Sequence, residues 1–406
     1  MATTINADTS DGLKLTADAS GEIELQSSGV TQAKVTSSGL QNASGNPITS
    51  QSGKNLIING NMGISQRGTS FTGLTGISYN LDRWETTVYT MTGGQYQVDQ
   101  STDAPEGFAY SQKISCTTAQ TQDVNNQFYI QQQIEGVNSS QLNYFVASPD
   151  TVTLSFWVKA NLTGSYTCAL KLSDNGSTEN NTSTRVYNTT YSISSADTWE
   201  KKTVTIVLDS AVGDVQVVDN RFAVSVQWWL GAGTSRDGAA ADSWINYGNA
   251  TTAADNLDLL GSTANEWYIT GVQLEANTTA TPFEHLQYGQ QLLLCQRYYQ
   301  FITGADTSYA FFGTGTYISS GECRGFLQIP YSGLRATPTV TFGGTASNYR
   351  LLSSVTKTCT SISGIISNKN GQLYFSAVSG ASTIGNSAYL SSNGTSVTYI
   401  TISAEL

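Results

Sequence analysis

The sequence predicts an all-β protein, and three observations predict it. Thr, Tyr, Val and Gly are abundant. Short apolar runs alternate with polar residues at period two, and clusters of Gly, Asn, Asp and Ser separate them. No helical crossovers lie between the runs, which argues against a doubly wound sheet. Aromatic residues form 10% of the chain, enough to supply buried area, so this is not the composition of a disordered chain.

Residues 1–45 contain three short stretches about ten residues apart, built on Leu13 and Leu15, on Ile23 and Leu25, and on Val30, Ala33 and Val35. Three such strands bury no core alone, so they call for partner chains or a platform. We expect an attachment segment, with Leu13, Leu15, Ile23 and Leu25 at its contacts. Residues 46–54 form a polar linker containing Pro47 and Gly53.

Residues 55–284 hold all seven tryptophans, and residues 285–406 hold none. That shift marks a domain boundary near 285. In 151–160, Leu154, Phe156 and Val158 alternate with Ser155, Trp157 and Lys159, as on an antiparallel strand with one covered face. Similar runs recur to residue 276, and a β-sandwich is the natural solution for this pattern. Residues 301–406 continue as strands and form a second, smaller β-domain.

Between them, residues 285–300 read as a linking helix. Tyr288, Leu292, Cys295, Tyr299 and Ile302 fall on one helical face, and Leu294, Tyr298 and Phe301 form a second line. About 14 residues give ~20 Å of helix, marginal alone, so burial against both β-domains or against copies of itself is expected. Tyr288, Leu292, Cys295 and Tyr299 are the candidate interface.

Only 12% of residues are charged, and the net charge is −11. With no Lys/Arg run, this excludes a nucleic-acid footprint and docking on anionic lipid. No apolar run approaches the roughly 20 residues needed for membrane insertion. The polar start, MATTINADTSDG, lacks an apolar signal core, so we expect synthesis in a cytoplasm without classical export. The five cysteines are widely spaced and fit neither a disulfide framework nor a metal-ligand set. We expect mostly buried thiols, and no cofactor.

His285 is the only histidine, and no G-x-S-x-G elbow accompanies it. Cys323, in GECRG, lies between β-like flanks, so both residues read as structural. Asp99, Asp103 and Glu106 form one loose acidic group; Asp255, Asn256 and Asp258 form another that a cation could use. Glycan recognition needs exposed aromatic faces. Trp228 and Trp229 put one indole on each side of a strand, and Trp244 lies in a loop-like stretch. In the last domain Tyr309, Phe311, Phe312, Tyr317, Tyr331 and Tyr349 are candidate receptor contacts. For each, core packing is the competing reading.

With these residues laid out, the chain resembles bacteriophage tail-fibre and receptor-binding proteins. NLIINGNMGISQRG followed by YNLDRWE is similar to the opening of their middle domain. WYITGVQLEANTTATPFEHLQYGQQLLLCQRYYQ resembles their junction of last sandwich strand, PFE and short helix. LRATPTVTF and the terminal ISAEL resemble their C-terminal domain. LSFWVKANLTGSYT and TWEKKTVTIVL also resemble a carbohydrate-binding jelly roll. The resemblance implies a homotrimer in the virion tail, made in the host cytoplasm. Its N-terminus would join an adaptor, nozzle or baseplate protein. Its distal β-domains would meet a host polysaccharide or outer-membrane component. A virion decoration without receptor binding, a polysaccharide-cleaving spike and a free-standing sugar-binding module remain alternatives.

Overall fold

The computed structural model describes residues 23–27, 30–36, 39–42, 53–90, 92–176, 184–211, 214–248, 252–253, 258–303, 310–330, 332–366, 373–394 and 398–406. The protein is all-β, as its alternating runs predict, and every strand pair described is antiparallel.

The first sheet has three strands, Ile23–Ser27, Val30–Thr36 and Gly39–Asn42. Ile23 pairs with Val35 and Leu25 with Ala33, and Val35 pairs with Leu40. These side chains therefore share one face, because side chains alternate along a strand. Leu25, Val35 and Leu40 are exposed on it. On the other face Glu24 accepts hydrogen bonds from Gln26 and Thr31 and pairs with Lys34. Leu13 and Leu15 lie outside the described residues.

The middle domain is a sandwich of a six-stranded and a seven-stranded sheet. Thr151–Ala160 lies inside the first sheet, between Glu200–Val207 and Glu266–Glu275. Phe222–Ala232 lies inside the second, between Gly164–Ser173 and Gln127–Glu135. Leu154, Phe156 and Val158 point into the core between the sheets with Trp84, Trp228 and Trp267.

The C-terminal domain packs a three-stranded sheet against a seven-stranded one. Its short sheet runs in the order Tyr299–Thr303, Tyr399–Ser403, Thr339–Phe342, so the strand after the linking helix pairs with the C-terminal strand.

The helix is shorter than its periodicity suggests, spanning Tyr288–Gln296. Its predicted face is also divided. Cys295 and Tyr299 are buried within the chain, Leu292 is half-buried, and Tyr288 is 68% exposed. Leu293 and Leu294 are the helix's other exposed apolar side chains. The correction has a clear cause. Strand pairing captures Tyr299, and a polar junction captures Arg297. Arg297 donates to both carboxylate oxygens of Glu135, at 2.6 and 2.9 Å, and the Tyr298 hydroxyl donates to the same carboxylate at 2.6 Å. Arg83 and Arg67 pair with Glu405 near the C-terminus. Arg335 donates to the carbonyls of Asn220, Ala404 and Glu405. These bonds clamp the two large domains together.

Candidate functional site

The seven-stranded sheet of the C-terminal domain has one covered face and one open face. Phe311–Tyr317 pairs with Ser387–Ser392 on one side and Glu322–Leu327 on the other; Leu373–Val378 follows. Tyr349–Leu352 flanks Ser387–Ser392. Register places a row of side chains across the open face: Leu352 opposite Tyr389, Tyr389 opposite Thr314, Thr314 opposite Phe326, Phe326 opposite Tyr374. A register shift between Phe311 and Gly313 adds Phe311 to this face, because an extra residue reverses the alternation.

Phe311, Phe326 and Tyr389 are 60%, 53% and 54% exposed. They stand in two pairs. Phe311 meets Tyr389 edge-on, with centroids 5.8 Å apart, and Phe326 lies 4.4 Å from Tyr374. Between the pairs runs a groove. One hollow of about 600 Å³ is lined by Phe311, Thr314, Phe326, Gln328, Leu352 and Tyr389, among others. A second, of about 330 Å³, continues it past Thr316, Arg324 and Ser387. Beneath, glycine is required at 325: a Cβ there would stand 1.9 Å from the Thr314 carbonyl oxygen. Any larger residue would prise apart the two strands that carry the groove.

The other aromatic candidates sit elsewhere. Trp228 is fully buried against Trp84 and Phe156, at 5.7 and 5.5 Å. Trp229 faces the opposite side of its strand, as alternation requires, but is also buried, 4.6 Å from Tyr129. Trp244 is half-buried beside Tyr187, and its indole donates to the Val207 carbonyl. Tyr317, Tyr349 and Phe312 lie in the C-terminal core. The Tyr317 hydroxyl meets Ser379, and the Tyr349 hydroxyl donates to the Gly343 and Tyr399 carbonyls. Trp228, Trp229, Tyr317 and Tyr349 are thus closed to a saccharide, because the cores claim them. Tyr309 and Tyr331 lie outside the described residues. Phe326, Tyr374 and Tyr389 escaped sequence reasoning; alternation within RGFLQ, LYFSAVS or AYLSS does not say which face stays open.

The catalytic candidates are equally committed. His285 rests against Phe108 and Phe283, with centroids 5.4 and 4.9 Å apart. Cys323 is buried on a strand, and burial pushes its thiol up to about 11, away from a nucleophile's range. All five cysteines are buried and unpaired with one another. Asp103 accepts from Lys159 and Trp199. Burial alone would raise its carboxyl, but these donors more than offset that and hold it below the usual range. Asp99 accepts from Gln97, and Glu106 is exposed. Asp258 caps a short turn by accepting from the Leu260 N–H, and burial raises its carboxyl. Asp255 and Asn256 lie outside the described residues. Among the described residues no three His, Cys, Asp or Glu side chains gather as a metal site.

No family model matches the chain, and no curated protein matches it in sequence. Solved structures superpose weakly. The enzymatically active domain of bacteriophage CBA120 tailspike protein 4 is 10% identical with a TM-score of 0.27, over 55% of this chain and 22% of that one. A xylan-binding CBM22-1 domain from Paenibacillus barcinonensis is 10% identical with a TM-score of 0.27, over 57% of this chain and 100% of that one. A family 11 carbohydrate-binding module from Clostridium thermocellum is 11% identical with a TM-score of 0.26, over 54% and 99%. Likeness at this level is one of chain course alone.

Proposed function

We propose that this chain is an attachment component of a phage tail that binds a host-surface saccharide through the groove of its C-terminal domain. It works as a homotrimer joined to the tail through its N-terminal sheet, and it binds without cleaving. One observation carries the reading: three half-exposed aromatic rings, Phe311, Phe326 and Tyr389, flank a groove containing Thr314, Thr316, Ser387 and Gln328. Aromatic faces cover the apolar faces of pyranose rings, while hydroxyl and amide groups meet their hydroxyls. The open apolar face of the N-terminal sheet and the exposed Tyr288, Leu293 and Leu294 support assembly, since exposed apolar surfaces of this kind mark interaction sites.

The test is binding of the full chain to a panel of bacterial surface polysaccharides. The double substitution Phe326→Ala and Tyr389→Ala should weaken binding about tenfold or more, or ~1.4 kcal/mol, with an unchanged melting temperature. Undiminished binding by this variant overturns the reading. Light scattering on the same samples should give three times 43.3 kDa.

A further inference from the structure

We infer that the groove is directional. It takes an acidic saccharide, with a methyl-bearing sugar (6-deoxy or N-acetyl) at its Phe311–Leu352 end and a carboxylate at its Arg324 end. This rests on the saccharide reading above and names the ligand's chemistry.

Continuity comes first. The two hollows share Thr314, Phe326 and Tyr389, so they form one groove. It follows the strand from Phe311 to Thr316, a run of ~17 Å at the strand's rise per residue. A ligand lying in it must be elongated.

Its two ends differ in chemistry. At one end Phe311, Leu352 and Tyr389 surround the hollow, with Thr314 and Gln328 as its polar side chains. A hydroxymethyl group placed there would lose water partners without replacing them all. A methyl group loses nothing, and its burial is worth about fourfold in affinity. At the other end the lining turns to Thr316, Arg324 and Ser387.

Charge fixes the orientation. The chain carries a net charge of −11, yet the groove's lining contains Arg324 and no carboxylate. Arg324 is half exposed and pairs with Glu322 at 2.7 Å. An exposed pair of this kind is weak and easily exchanged. Glu322 also accepts from the Ser376 hydroxyl at 2.7 Å, so it keeps a partner when Arg324 turns to a ligand. A guanidinium so placed matches a carboxylate in bidentate geometry.

The experiment uses the full chain and four probes: L-rhamnose, N-acetylglucosamine, glucuronic acid and glucose. Saturation-transfer NMR should show the strongest transfer at the methyl protons of the first two. Both should bind about fourfold more tightly than glucose. Arg324→Gln should weaken glucuronic acid and abolish the salt dependence of its binding while leaving L-rhamnose unchanged. Leu352→Ser should do the reverse. Equal binding of glucose and the methyl sugars, or indifference of glucuronic acid to Arg324→Gln, overturns the direction. The saccharide reading would still stand if the polysaccharide panel remains sensitive to Phe326 and Tyr389. A change of molar mass on substituting these rings would make the groove a contact between copies and overturn both.

Discussion

Two seven-stranded sheets in this chain carry aromatic residues on both faces, and they treat them differently. In the middle domain both faces are covered. Trp228 enters the sandwich core, while Tyr129, Trp229, Lys171, Gln131 and Gln227 on the other side are 1% exposed or less. Part of the chain lies over them: Thr167 donates to the Ala253 carbonyl, and Lys171 stands 4.8 Å from the Tyr247 ring. The amides on that face form their own layer, with Gln227 and Ser225 donating to Gln131 and Gln131 donating to Glu85. In the C-terminal domain no described residue covers the outer face in this way, and Phe311, Phe326 and Tyr389 stay exposed. Aromatic content therefore builds a buried layer in one sheet and an exposed row in the other. What separates them, among the described residues, is whether another segment crosses the face.

The largest test of that contrast is a pair of truncations. Trp228→Ala should cost about 3–5 kcal/mol in denaturant unfolding, as large core aromatics do. Phe326→Ala should stay within about 0.5 kcal/mol of the parent chain, as exposed substitutions do. A comparable loss from both would mean that something covers the C-terminal face in solution.

The junction comes next, because it decides whether the two sheets unfold together. Glu135 has a fully buried side chain, whereas its partner Arg297 is 27% exposed. Removing the carboxylate leaves the guanidinium without its main partner, and Glu135→Ala should cost about 3 kcal/mol, the low end for a broken buried pair. Calorimetry should then resolve two transitions in place of one. A single transition at the parent temperature would mean that the apolar contacts alone hold the domains together.

The smallest effect concerns the N-terminal sheet, on the face opposite its exposed apolar row. Hydrogen bonding from Lys34, then from Gln26 and Thr31, lowers the Glu24 carboxyl from 4.5 to about 2. A depressed acid stabilises the folded form above its unfolded value and loses that contribution as pH falls through its folded value. Amide exchange in this sheet, corrected for the intrinsic pH dependence of the amide itself, should be flat above pH 5 and quicken between about pH 4.5 and 2. Exchange that is indifferent to acid would leave the sheet's stability to its apolar face and whatever covers it.

Much of the fold was legible from the residues. Alternation in TVTLSFWVKA located a sandwich strand with Leu154, Phe156 and Val158 inward. The helix was legible in kind but not in length. A periodic apolar line runs past Gln296, yet Tyr299 gains more from strand pairing with Ser403 than from another helical turn. The site was the least legible part. Tyr317 and Phe311 sit in one strand and look alike as candidates. The register shift at Phe311–Gly313 sends Phe311 outward and leaves Tyr317 in the core.

The sequence by itself determined the β class, the acidic charge and the pairing of inward and outward positions on single strands. These depend on period and composition, which neighbours along the chain already contain. The tertiary structure alone decided which face of each sheet is covered, which rings form the groove and where the polar clamp closes. Those follow from contacts between residues as far apart as Arg83 and Glu405, and from one extra residue in a strand. Neither leaves a mark in local alternation.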